Sequence, residues 1–149
     1  MLVKKRIRIA LIPHDGKKTD MREWAVWNRD LLSRLDIYAT KHTGELVMEA
    51  TGLHVELLLS GPLGGDAQIG AMIARRELEV VVFFWDPLAT QAHAADVQSL
   101  IRLAVLHGVA IACNRRTADM VITSPLLNER GDREPATPRA ATPPADRSR

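Results

Sequence analysis

A single cysteine, Cys113, stands in 149 residues, so no internal disulfide can form. That usage fits a reducing compartment. Three Trp, one Tyr and two Phe are the only aromatics, and they do not interleave with a stripe of Lys and Arg. A nucleic-acid partner is therefore not expected. Neither sign of charge dominates: 20 Lys plus Arg face 18 Asp plus Glu, for a net +2. No apolar run approaches the roughly 20 residues of a membrane span. The basic residues 1–8 are not followed by the long apolar stretch of a signal peptide. The expectation is a cytoplasmic protein with no membrane association.

What is present suits one globular domain. The chain is 46% hydrophobic and 26% charged, ordinary for a folded protein. One domain of this length buries about two-thirds of its unfolded surface without staples. Residues 7–13 (IRIALIP) read as a buried strand. Apolar positions Met21, Trp24, Ala25, Leu31, Leu32 and Leu35 recur at helical spacing, predicting a helix over 20–35. A strand at 37–39, a helix at 44–50 closed by Gly52, and a strand at 55–59 follow. Then come a helix from Asp66 to Glu77, a strand at 80–85 (VVVFFW), and a helix at 96–107 stopped by Gly108. Residues 109–113 form the fifth strand. A short helix at 117–119 and a last strand at 121–123 are expected to close the domain. Strands alternating with helices, one of them apolar throughout, argue for a parallel sheet covered on both faces. Residues 128–149 hold four of the eight prolines and almost no large apolar side chains. They read as a disordered tail, leaving 1–127 as the domain.

Polar residues collect after the strands. His14 and Asp15 follow the first, Thr40 to Thr43 the second, Ser60 to Asp66 the third, and Asp86 to Asp96 the fourth. Open parallel sheets bind ligands at that carboxyl edge, so these residues should converge. The glycines of 60–66 precede a helix, where backbone N–H groups favour an anion. Their spacing matches neither GxGxxG nor GxxxxGK[ST], so neither a dinucleotide nor a nucleoside triphosphate is indicated. Thr40, Thr43 and Ser60 add hydroxyls and Lys18 a cation, a set suited to a phosphate monoester. The same hydroxyls could simply cap helices and shape turns. Asp66 could likewise be an N-cap. A helix start lowers a carboxylate's pKa, so a general base there needs burial or a nearby carboxylate, which Asp15, Asp86 or Asp96 could supply. Asp86 precedes proline and also reads as a turn former. His14 and His93 lie on the ligand edge; His54 and His107 do not. No HExxH, cysteine pair or EF-hand loop suggests a metal, and no GxSxG elbow suggests a serine hydrolase.

His14-Asp15 with Lys18, the string LSGPLGGDAQIGA at 59–71, FFWDPL at 83–88, and His93 with Asp96 resemble the signature strings of methylglyoxal synthases. The resemblance runs from residue 7 to residue 125. It implies a three-layer α/β/α sandwich around a five-stranded parallel sheet, wound like Rossmann or flavodoxin folds. It implies a lyase that converts dihydroxyacetone phosphate to methylglyoxal and phosphate, a glycolytic bypass, with no cofactor or metal. By matching motif, Asp66 is the catalytic base and His93, Asp96, Asp86 and Asp15 complete the catalytic set. Substrate and phosphate contacts fall to His14, Lys18, Thr40, Lys41, His42, Thr43, Ser60, Gly61 and His93. The resemblance further implies a homohexamer, with phosphate as product and inhibitor. The family usually reads T-G-T-T-G where this chain has Thr40-Lys41-His42-Thr43-Gly44. The His42 ring could point into the site and donate to the phosphate, the preferred expectation, or point to solvent. Two alternatives remain for function: a non-enzymatic regulatory ligand-binding domain of the same fold, and another enzyme acting on a triose phosphate.

Overall fold

In the computed structural model the described residues are 6–89 and 96–130, with side chains to 127. Five strands form one sheet: β1 (Arg8–Pro13), β2 (Asp36–Thr40), β3 (Glu56–Leu58), β4 (Val80–Phe84) and β5 (Ala110–Ala112). All pairs are parallel and the order is β3-β2-β1-β4-β5. This is the Rossmann order rather than the flavodoxin order. The direction of winding reverses between β1 and β4, and that is where such sheets open a crevice.

The helices are α1 (Lys18–Trp27), α2 (Arg29–Leu32), α3 (Lys41–Thr51), α4 (Gly65–Ala74), α5 (Val97–His107), α6 (Arg115–Thr123) and α7 (Pro125–Arg130). Strand side chains alternate between two cores. Ile9, Leu11, Val80, Val82 and Phe84 point to one face and pack with Trp24, Leu32, Val47, Ala118 and Ile122 of α1, α2, α3 and α6. Ala10, Ile12, Val81 and Phe83 point to the other and pack with Ile69, Ile73 and Leu100 of α4 and α5. Period-two alternation in buried strands thus produces the three layers.

Three expectations change. The helix over 20–35 is broken at Asn28, which is buried and donates its side-chain amide to the Trp24 carbonyl (3.0 Å) and to Asp119 Oδ1 (3.2 Å). An asparagine so engaged competes with the backbone ladder. The strand at 121–123 does not exist; those residues end α6. Asn114 caps that helix by accepting the Thr117 N–H at 2.9 Å. Ala118 and Ile122, four apart, then bury one helical face. Finally, α3 begins at Lys41 rather than Gly44, so the stretch read as a loop is a helical first turn. At the far end, α7 carries regular structure to Arg130. Of the tail expected to be disordered, 128–149, residues 131–149 lie outside the described residues.

Candidate active site

The carboxyl edge of the sheet assembles three clusters, each from a different pair of elements. The first lies at the β1–β4 crevice. His14 follows β1, is 6% exposed, and donates its backbone N–H to the Phe84 carbonyl at 3.0 Å. Its ring stands edge-on to Phe83, with centroids 5.0 Å apart. The Asp86 N–H donates to His14 Nδ1 at 3.0 Å. An Nδ1 that accepts cannot carry the hydrogen, so the neutral ring holds it on Nε2. Asp86 therefore does two jobs. Its Oδ1 accepts the Leu88 N–H at 3.0 Å, which is the turn role anticipated for an Asp-Pro pair. Its Oδ2 lies over Gly16, where an added Cβ would stand 2.6 Å away. Beside this cluster Asp15, 77% exposed, pairs with Lys18 at 3.2 Å.

The second cluster joins β2 to the glycine-rich turn. Thr40 and Thr43 are buried, at 6% and 1% exposure. Thr40 occupies the N-cap position of α3, yet makes no side-chain capping bond. The capping reading of Thr40 therefore fails, and the first-turn N–H groups of α3 keep their orphan character. Gly65 fits against the Thr40 methyl and the Leu59 carbonyl, and a Cβ there would lie 2.8 Å from Thr40 Cγ2. The Ser60 carbonyl accepts the N–H groups of Leu63 and Gly65, each at 3.0 Å. This closes the turn that carries Ser60 and Gly61.

The third cluster pairs α4 with α5. Asp66 lies in the first turn of α4, half-buried, but Gly64, at φ 105°, occupies the N-cap position. The Asp66 carboxylate is not a cap. Its Oδ2 accepts the Asp96 N–H at 3.2 Å. Asp96 in turn caps α5, accepting the Ser99 N–H on Oδ1 at 3.1 Å. A cavity of ≈ 470 Å³ opens beside these two aspartates, with Ala67, Gly70 and Leu100 in its walls.

Lys41 and His42 do not join these clusters. Both are exposed on α3, and His42 Nδ1 faces Glu45 Oε2 at 3.8 Å with 65% of its side chain in solvent. The inward orientation preferred for His42 is replaced by the outward one. The reason is the earlier helix start: with Thr40 and Thr43 on the buried side, helical geometry turns position 42 outward. His93 lies outside the described residues. Gly16 and Gln68 were not singled out from the sequence, yet each holds a site element through a contact made by its own shape or side chain. Elsewhere on the edge, burial pushes the Cys113 thiol up from its ordinary value.

Comparison with known proteins identifies the family to which the chain belongs. The family model described as "MGS-like domain" matches residues 20–113. A methylglyoxal synthase of Leptospira interrogans is 53% identical over 118 residues, covering 79% of this chain and 80% of the relative. One of Pseudoalteromonas translucida is 51% identical over 120 residues, covering 80% and 78%. The crystal structure of methylglyoxal synthase from Elizabethkingia anophelis superposes with a TM-score of 0.79 at 43% identity, covering 83% of this chain and 81% of that one. The chain belongs to the methylglyoxal synthase family.

Proposed function

We propose that this chain is a lyase that converts dihydroxyacetone phosphate to methylglyoxal and inorganic phosphate, with Asp66 as the base. The observation that carries the assignment is that the Asp66 carboxylate is not spent on capping its own helix. It stands at the carboxyl edge beside the glycine-rich turn, held by the Asp96 N–H. Asp66 takes a proton from the hydroxymethyl carbon, leaving an enediolate. The Nε2–H of His14 and the ring of His93 are the hydrogen-bond donors for the developing oxyanion, and His93 moves a proton between the two oxygens. The electron pair of the enediolate then expels the phosphate by breaking its C–O bond. The enol that remains becomes methylglyoxal.

The phosphate is received by the first-turn N–H groups of α3, including those of Lys41 and His42, by Thr40 and Thr43, and by Ser60 and Gly61. Lys18 offsets its charge, with Asp15 steering the ammonium. Asp86 works through His14 by fixing its tautomer. The chemistry is acid–base and elimination throughout, so activity should survive exhaustive chelation; loss restored by one divalent ion would refute a metal-free reaction. Phosphate should inhibit as product. Assembly as a homohexamer, a cytoplasmic location and a role as a glycolytic bypass complete the proposal. Among the described residues no helix is long and apolar enough to cross a membrane.

A regulatory binding domain would not need Asp66, His93 and Asp96 together, whereas this chain keeps all three. The decisive experiment is incubation with dihydroxyacetone phosphate while assaying methylglyoxal, phosphate and glyceraldehyde 3-phosphate separately. Equal amounts of methylglyoxal and phosphate are expected. Glyceraldehyde 3-phosphate would indicate an isomerase, phosphate with dihydroxyacetone a phosphohydrolase, and no turnover a binding domain.

A further inference from the structure

The turn of residues 60–64 leaves an edge strand, where backbone support is weakest. Among the described residues β3 pairs only with β2, and its ladder ends at Leu58 opposite Thr40. The next N–H, that of Leu59, falls beyond the ladder. It donates to Gln68 Oε1 at 2.7 Å, a short bond to a side chain nine residues on. Gln68 stands two positions after Asp66, on a helix whose buried side is Ile69 and Ile73. The bond thus ties the start of the turn to a helix anchored in the core. The Leu59 carbonyl, on the other side of the same residue, is the surface against which Gly65 packs, together with the Thr40 methyl.

We infer that Gln68 is a positioning residue for phosphate recognition. Its side-chain carbonyl sets the Leu59 peptide, and through it the register of Ser60 and Gly61 against the start of α3. The inference rests on the reading of these groups as the phosphate site. The Asp66 carboxylate is held by the Asp96 N–H, a contact the Gln68 side chain does not share, so loss of the Gln68 acceptor should act on binding and spare the proton-transfer step. A residue with a general structural role would lower stability without this division.

Gln68→Met keeps the length and apolar volume of the side chain and deletes the acceptor. Gln68→Glu keeps an acceptor of the same reach. In Gln68→Met the KM for dihydroxyacetone phosphate and the Kd for inorganic phosphate should both rise about threefold to tenfold, the range set by the net worth of one hydrogen bond. kcat should stay within about twofold, since the base is untouched. The Leu59 amide should exchange with solvent faster in Gln68→Met and stay protected in Gln68→Glu, a readout that the added charge does not obscure. Unchanged phosphate affinity in Gln68→Met would overturn the inference, as would unaltered Leu59 protection or a fall in kcat alone. Phosphate affinity and amide exchange need no turnover. A natural protein that makes no methylglyoxal would therefore refute the proposed activity while the Gln68 test still reads.

Discussion

Two of the three clusters at the carboxyl edge of the sheet are built from different materials. At the β1–β4 crevice the working parts are side chains, His14 and Asp86, each fixed by a backbone N–H: Asp86 N–H to His14 Nδ1, and Leu88 N–H to Asp86 Oδ1. On the β2–β3 side the working parts are backbone N–H groups at a helix start and in a turn, shaped by Gly65 and Thr40. The first cluster depends on side-chain identity. The second depends on helix position and on the absence of side chains at close approaches. That difference explains how the chain can carry Lys41 and His42 in its expected phosphate loop. Their side chains point away, while their N–H groups stay where the helix puts them.

Three substitutions test this division, in order of expected effect. His14→Ala removes the Nε2 donor and leaves the Asp86 N–H unpaired. Turnover should fall by roughly a hundredfold or more, the range for deleting one oxyanion donor, with the fold intact by circular dichroism. A loss under fivefold would move the crevice out of the chemistry. Gly16→Ala pushes a methyl against Asp86 Oδ2, the far end of a half-buried side chain that can swing aside, and should cost no more than about 1 kcal/mol of stability. Activity should fall with it, because the displaced carboxylate shares a residue with the N–H that orients His14. Thermal unfolding and kcat measured together would separate the two effects, and a wild-type kcat would show that the Asp86 carboxylate tolerates displacement. His42→Thr should do least. The KM-against-pH profiles of natural and variant protein, between about pH 5.5 and 8.5 where an ordinary histidine titrates, should superimpose. A histidine-dependent arm present only in the natural protein would mean that the ring turns inward when substrate binds.

Much of this was legible in the sequence, for identifiable reasons. The central strands β1 and β4 announce themselves by apolar runs ending in polar clusters, because a sheet covered on both faces demands such runs at its centre. The convergence of those clusters follows from parallel topology. The errors fell where local preference and tertiary packing disagree. Val121, Ile122 and Thr123 are β-branched and favour a strand locally. In the fold, the Asn114 cap and the burial of Ala118 with Ile122 make them the end of a helix. Asn28 breaks a continuous helical pattern because its amide finds Asp119, 91 residues away. The N-cap reading of Asp66 was reasonable for an aspartate at a helix start, but Gly64 takes that position. Contacts such as Gly16 with Asp86, or Gln68 with Leu59, are set by side-chain geometry across the chain. No local pattern encodes them.

The central claim is that Asp66 abstracts the proton. Asn can replace Asp in shape and can accept the Asp96 N–H, but it cannot act as a base at neutral pH. Asp66→Asn should therefore fold normally and bind inorganic phosphate as the natural protein does, while kcat for methylglyoxal formation falls at least about a hundredfold, the lower bound for losing a general base. An Asp66→Asn protein with unchanged turnover would contradict the account.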